Sequence, residues 1–542
     1  MWEPLKEPIF RALWIASLAS NIGSWMQDIA TAWLMTSLSQ LPVMTALLQT
    51  AAYLPFFMLS MPSGALADVV DRRQLLILGQ VGMLIAALSL GLLTVFGIMN
   101  PWVLLFLTFM LGIGAAMSAP AWNAVTPDMV PRQQLEAAIA LGSVGYNVAR
   151  GIGAALGGVM VAKSGPGAVF LLNAVSFLGV VIVLVSWKHK PDNGTARGER
   201  ILGAIRAGMR FARNSPPLKA VLVRSAIFAL CSSAMWALIP LVGRRHLDLD
   251  CVGYGLLLSV FGVGTLLGAF CMPKLRRIYS LDQVNATGLF LFALAMAIIA
   301  YARHFAFAGL AMVIAGVAWV IANATLNAGA QMSVPSWVRA RALAIYILVF
   351  QGSVAIGSAL WGALATASGL SIPLIVSPMC LGLGLLAVQR YKLGQAEKLD
   401  TTLSMHWQDP QIVHEPHPDN GPVLVTVEYR IDPSKAKEFA DAMSALSVQR
   451  RRDGAFQWHL FCDLAEPSRY VETFLIESWG EHVRQHERAI VADREAEERV
   501  NAFKLPGSST KVHHLISAYA MDSAEIQEND NLSAGSLDHS MS

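Results

Sequence analysis

Charge is scarce in this chain of 542 residues: only 14% are Asp, Glu, Lys or Arg, against 55% hydrophobic, and mean hydropathy is +0.50. That balance excludes an ordinary soluble domain, in which about a quarter of residues are charged, and points to a chain that is mostly membrane-embedded. Cysteine is scarce too. Its five copies, Cys231, Cys251, Cys271, Cys380 and Cys462, form no CxxC pair, which argues against a disulfide framework and a thiolate zinc site. There is no GxxxxGK[ST] loop, so ATP-driven pumping is not expected. No cleavable signal peptide is expected either, because the first apolar segment runs from Phe10 past Leu34 without a small-residue cleavage site.

What is abundant is the apolar run of about 20 residues, the length that crosses a bilayer. Such runs lie near 10–38, 43–67, 75–98, 101–123, 134–162 and 166–187, and again near 218–243, 250–272, 282–301, 305–331, 340–366 and 371–390. The pattern predicts about twelve spans, an all-α polytopic membrane protein. Basic residues are asymmetric between them. Lys6, Arg11, Arg72, Arg73, Arg132, the cluster from Lys188 to Lys219, Lys274, Arg276, Arg277, Arg339, Arg341, Arg390, Lys392 and Lys398 fall on one side, and only Lys163, Arg244, Arg245 and Arg303 on the other. By the positive-inside rule both termini are expected in the cytoplasm of a multi-pass inner (plasma) membrane protein.

The net charge of +3 hides a second asymmetry: 27 basic and 13 acidic groups precede Leu399, and 13 and 24 follow. Two regions in different solvents are implied. The expected organisation is a membrane region over 1–398, with bundles at 1–187 and 217–398 joined by a cytoplasmic linker at 188–216. A second linker follows at 399–420, then an α+β domain at 421–520 and a disordered polar tail at 521–542. In the first linker Ile201, Leu202, Ile205, Met209 and Phe211 recur at helical spacing among basic residues, as in a helix resting on anionic lipid.

The two halves repeat at an offset of 204 residues. Gly64, Arg72 and Arg73 fall on Gly268, Arg276 and Arg277; Asn123 on Asn327; Val130-Pro131 on Val334-Pro335; Gly153 on Gly357; Gly158 on Gly362; Ser164-Gly165 on Ser368-Gly369. A duplicated six-span unit follows, the plan of two six-helix bundles around a central cavity. Asp68 and Asp71 fall on Met272 and Leu275, so the acids belong to one half.

The segment GALADVVDRR, Gly64 to Arg73, resembles the signature loop of the major facilitator superfamily. With NIGSWMQDIATAWLM in the first span and NVARGIGAALGG in the fifth, the chain resembles its drug and siderophore exporter branch, the transmembrane secretion effectors that include the enterobactin exporter. The resemblance covers about residues 8 to 390. It implies a gating role for Gly64, Asp68, Asp71, Arg72 and Arg73, in which Asp68 helps latch the bundles on the cytoplasmic side. One departure weakens the case for antiport: Gly153 precedes Ala154, not the proline that drug/proton antiporters carry in span five.

Ionisable residues inside spans are candidates for function. Asp28 and Arg150 lie at similar depths in spans one and five and are expected to pair, with proton or substrate arrival breaking the pair. Gln27, Asn123, Asn147, Asn327, Gln331 and Gln351 are expected to line the cavity. Gly145, Ala149, Gly153 and Gly157, with Gly158, form a small-residue stripe for close helix packing.

After the second linker the pattern reads β-α-β-β-α-β, the ferredoxin-like order, with one helix spanning 479–500. This part resembles the dimeric α+β barrel group that includes antibiotic-biosynthesis monooxygenases, which implies a possible homodimer. His482 and His486 are four apart on the helix, but no further ligand is evident, so neither metal nor cofactor is expected; Trp458, His459 and Tyr470 are read as core or dimer contacts. The expected function is proton-coupled export of small amphipathic molecules by alternating access, with substrate, protons and membrane lipids as partners and no nucleic acid. Two alternatives stand beside it: a bifunctional protein whose tail domain is a metabolite-modifying enzyme, and an importer of the same fold.

Overall fold

The computed structural model describes residues 2–69, 71–187, 201–397, 399–404, 406–407, 412 and 416–518; within them, side chains at 61, 63–69, 123–124, 128, 132, 201–205 and 387 are not described. In chain order the helices are α1 (Pro8–Leu38), α2 (Pro42–Val69), α3 (Arg72–Val95), α4 (Pro101–Met129), α5 (Leu135–Ser186), α6 (Ile201–Asn214), α7 (Pro216–Arg245), α8 (Cys251–Ile278), α9 (Leu281–Tyr301), α10 (Phe305–Met332), α11 (Arg339–Ser368), α12 (Ser371–Arg390) and the short α13 (Gly394–Glu397). The tail region holds β1 (Val423–Arg430), α14 (Ala436–Arg452), β2 (Phe456–Cys462), β3 (Arg469–Ile476), α15 (Trp479–Arg488), α16 (Val491–Asn501) and β4 (Lys511–Ile516).

Among the described residues ten helices are long and apolar enough to cross a membrane, where the sequence predicts about twelve segments. The difference has two sources. Helix α1 has the length, 31 residues, but Asn21, Gln27 and Asp28 dilute its hydropathy. Helix α5 runs for 52 residues, about 78 Å at 1.5 Å per residue, far beyond a bilayer core of about 30 Å. Its backbone breaks at Gly165 (φ 76°, ψ 166°), just before Pro166. The left-handed φ suits glycine alone, and Gly369, its partner at the 204-residue offset, has the same sign, φ 84°.

The chain divides into two compact units. The first comprises Met1–Ile201, Ala220–Ala330 and Leu343–Gly394; the second comprises Leu202–Lys219, Gln331–Ala342 and Gln395–Ser542.

In the first unit the repeat reappears as packing. A Cβ on Gly153 would stand 2.7 Å from the Ile22 carbonyl of α1, and one on Gly357 would stand 2.6 Å from the Leu230 carbonyl of α7. Gly158 approaches α8 at the Cys251 carbonyl (2.6 Å), while Gly362 meets Ala46 of α2. Equivalent glycines thus press equivalent helix pairs together. The 3₁₀ turns Arg132–Gln134 and Ser336–Val338, which precede α5 and α11, share the same offset.

In the second unit β1 to β4 form an antiparallel sheet in the order β2-β3-β1-β4. Val423, Val425, Val427 and Tyr429 alternate inward from β1 to meet Phe439, Met443 and Leu446 of α14 and Phe474 and Ile476 of β3. The single helix expected over 479–500 is two. Ile490 is extended (φ −108°, ψ 165°), its N–H donates to Asp493 Oδ2 at 3.0 Å, and it bridges to Leu403. Partners distant in sequence outweigh local helix propensity there.

The linker helix α6 also belongs to this unit. Phe211, expected on a lipid-facing stripe, is buried, its ring 5.9 Å from Trp337 and 5.6 Å from the Arg452 guanidinium. Arg210 donates to Glu481 (2.6 Å) and Arg206 to Glu477 (2.7 Å). The basic helix is therefore held by the acidic α+β region through these ion pairs, with Phe211 buried and Met209 exposed.

Candidate functional site

The centre of the first unit is built from α1, α2, α5 and α8. Met26, Gln27, Ile29 and Ala30 are buried, whereas Asp28 between them is exposed. Tyr53 of α2 and Tyr254 of α8 lie within electrostatic range of its carboxylate, so Asp28 lies deep among α1, α2 and α8 while keeping accessible surface. Arg150 does not pair with it. Among the described residues no ion pair joins the two; the guanidinium lies 5.0 Å from the Trp25 ring and 5.3 Å from the Tyr146 ring, and its Nε makes no hydrogen bond. Trp25 precedes Asp28 by one helical turn and captures the cation through its π face.

The polar residues expected to line a cavity divide. Gln27 is buried and accepts from Asn173 Nδ2 at 2.8 Å, which makes it glue between α1 and the second segment of α5. Asn147 donates to Ser143 O in its own helix (2.9 Å). Asn327 and Gln331 are exposed and Gln351 is half-buried. The side chain of Asn123 lies outside the described residues.

In the loop motif, Gly64 and Asp68 fall in the last turns of α2, where side chains are outside those described. Asp71 caps α3 by accepting from Arg73 N–H (2.8 Å). Arg73 donates to the carbonyls of Leu184 and Val185, both at 2.7 Å, and so ties α3 to the carboxyl end of α5. Arg72 is exposed.

A charged cluster that the sequence reading passed over lies in the second half. Arg224 of α7, 1% exposed, donates to Asp282, to Asn285 Oδ1 (2.6 Å) and to Tyr391 O (3.3 Å). Asp282 in turn accepts from the Leu393 and Gly394 N–H groups at 2.9 and 2.8 Å. Arg224 was visible as the lone cation within VLVRSAIF. Its partners were not.

Residues 1–522 match the family described as transmembrane secretion effector. The chain belongs to that family of major facilitator transporters. The chain is 20% identical over 350 residues to the staphyloferrin A transporter of Staphylococcus aureus (64% of this chain, 87% of that one). It is 24% identical over 395 residues to the multidrug efflux pump Tap of Mycolicibacterium fortuitum (69% and 93%). A bacterial homologue of the lysosomal transporter Spinster, solved inward-facing and unoccupied, shares the fold at TM-score 0.57 and 16% identity, covering 71% of this chain and 97% of that one.

Contacts between the two halves of the effector gather near the loop that joins α1 to α2. Arg244 donates to Thr36 Oγ1 (2.8 Å), Arg245 to Gln40 O (2.6 Å), and Thr366 Oγ1 accepts from Val43 N–H (3.0 Å). Deeper in, Thr50 donates to Ala355 O (2.8 Å) and Ser259 to Gly151 O (3.1 Å). A Cβ on Gly158 would stand 2.6 Å from Cys251 O, and one on Gly255 2.7 Å from Ala154 O, so α5 and α8 touch backbone to backbone. Gly158→Leu is expected to push them apart, at about 1–3 kcal/mol for an overpacked site, or roughly 5- to 150-fold against this arrangement. With the other four cysteines replaced by serine, labelling of the buried Cys251 by a membrane-impermeant maleimide reads the shift. Unchanged labelling would show that the contact does not control opening.

In the α+β region a polar network crosses the core. Glu472, fully buried, accepts from Tyr429 OH (3.0 Å), Trp458 Nε1 (2.8 Å) and Arg450 Nε (3.2 Å). Arg450 also donates to Glu497 (2.7 Å), which accepts from Trp407 Nε1 at 3.0 Å. Burial pushes the Glu497 carboxyl up, but Arg450 and the His406 and Trp407 donors outweigh it and hold the group at about 2. Beside the network, His514 of β4 joins His482 and His486 of α15. Burial, reinforced by the neighbouring imidazoles, pushes His482 down to about 3.

Proposed function

We propose that this effector is a proton-coupled secondary exporter of small amphipathic molecules, working by alternating access between two six-helix halves. Twelve spans are reached by counting α1 and by dividing α5 at Gly165. The positive-inside asymmetry supports both termini in the cytoplasm of the inner membrane, and with that orientation the contacts near the α1–α2 loop lie at the external end, which fits an inward-facing arrangement. The observation that carries this reading is Asp28, an open carboxylate between the halves that makes no ion pair among the described residues. Relatives named for efflux and for siderophore transport support export and the substrate class. The test is efflux from proteoliposomes under an imposed pH gradient: accumulation that tracks the gradient is expected, and transport indifferent to it would reject proton coupling.

On this reading Asp68 is the cytoplasmic latch, formed when that side closes. Asp68→Asn is expected to slow transport about 10-fold, the loss of about 1.4 kcal/mol from one state, with unchanged protein in the membrane. Normal transport would reject the latch.

The sheet order of the tail is that of a ferredoxin-like domain, and we read it as a regulatory, dimerising module. Its grip on α6 through Arg210 and Glu481 supports the first role. For the second, Phe461 and Leu515 are both 54% exposed on the sheet face turned away from the helices, a surface suited to a second copy.

A further inference from the structure

The imidazoles of His482, His486 and His514 form a cluster within the second unit. Residues four apart on a helix share a face, which brings His482 and His486 ring to ring at 4.8 Å between centroids. Antiparallel pairing with β1 places His514 opposite Val425, on the sheet face that α15 covers, and its ring centroid lies 4.7 Å from that of His482. One ring nitrogen from each residue lies within 4.8 Å of the other two. Trp479 packs at 5.5 Å from His482 and 6.4 Å from His514, and Trp407 at 5.0 Å from His486, so aromatic rings wall the cluster.

His482 is the telling member. It is 2% exposed, and neither of its ring nitrogens makes a hydrogen bond of good geometry, its one polar neighbour for such a bond being Gln485. Gln485, 1% exposed and three residues on, likewise has both amide atoms unpartnered. A buried polar group without a good partner is unfavourable and calls for an explanation. A cation supplies it: one His482 nitrogen ligates, and the other is free to pair with Gln485 as an outer partner.

We propose that His482, His486 and His514 bind one divalent transition-metal cation of the zinc class, through one nitrogen each. Three imidazoles select Zn²⁺, Ni²⁺ or Cu²⁺ over Mg²⁺ and Ca²⁺, which require oxygen. At Zn–N distances of about 2.0–2.1 Å the nitrogens stand about 3.3 Å apart in a tetrahedral set, so the rings close by up to about 1.5 Å through side-chain rotation. Among the described residues no Asp or Glu belongs to the group, and the fourth position is assigned to water or a small ligand.

The test uses the full chain, purified in detergent through a tag without histidine, stripped with chelator and dialysed against Zn²⁺ or Co²⁺ alone. We expect one equivalent of tightly held Zn²⁺, and a Co²⁺ complex with the visible absorption of four-coordinate geometry. His486→Ala and His514→Ala, both at partly exposed positions where folding is not at stake, are each expected to weaken Zn²⁺ binding at least 10-fold. His513→Ala, on the opposite face of β4, is expected to leave it unchanged. Wild-type chain that retains no Zn²⁺ would overturn the site, as would equal retention in the His486 and His514 variants, or equal loss in the His513 variant.

Discussion

Asp28→Asn is expected to end accumulation against a gradient while leaving downhill exchange of substrate intact. Asparagine keeps the shape and much of the hydrogen bonding of aspartate but holds no titratable proton. Each proton moved across a pH gradient of two units supplies about 2.7 kcal/mol, enough to sustain roughly a 100-fold substrate ratio. Proteoliposomes containing the variant are expected to reach a ratio near 1. The open setting of Asp28 makes this a clean substitution, because among the described residues no ion pair at Arg150 is broken by it. Accumulation by the variant at the wild-type ratio would remove Asp28 from the coupling mechanism. Loss of downhill exchange as well would mark it as a residue needed for the conformational change itself.

Glycines at a fixed offset were legible because only small residues permit backbone contact, and Gly153, Gly158, Gly357 and Gly362 all make such approaches. Depth along a helix was legible from rise per residue, but rotation about its axis was not. Asp28 and Arg150 were therefore matched in height, while Trp25, one turn earlier, holds the arginine. For the same reason Gln27, adjacent to Asp28, faces the other way, toward Asn173. Hydrogen-bonding capacity does not tell which side a residue faces. The break at Ile490 was hidden because Ala489, Ile490 and Val491 suit a helix, and what ends it is Leu403, 87 positions away in the numbering. His514 was likewise invisible beside His482, since strand pairing and not spacing brings it there. Arg224 was the exception: a cation inside an apolar run is conspicuous, and burial only supplied its partners.

Glu472→Ala is expected to unfold the tail domain selectively. Glu472 is fully buried and gathers Tyr429, Trp458 and Arg450, so removing it leaves three donors in an apolar core and one of them charged. Breaking one side of a buried pair is typically unfavourable by about 3–5 kcal/mol, a large share of the roughly 5–15 kcal/mol that stabilises a whole domain. Arg450 keeps Glu497 as a second partner, which sets the lower end of that range. Limited proteolysis of the full chain in membranes reads the effect: sites beyond residue 420 are expected to become cleavable while the membrane helices stay protected. The conservative variant Glu472→Gln keeps a side-chain acceptor for the Tyr429 and Trp458 donors and leaves Arg450 paired with Glu497, and is expected to retain much more of the resistance than the alanine variant. A Glu472→Ala chain as resistant as wild type would show that the network does not hold the domain. If the domain does open, export measured in the same membranes decides its role: altered but persisting transport fits a regulator that acts through α6, whereas complete loss makes the tail part of the transport machinery.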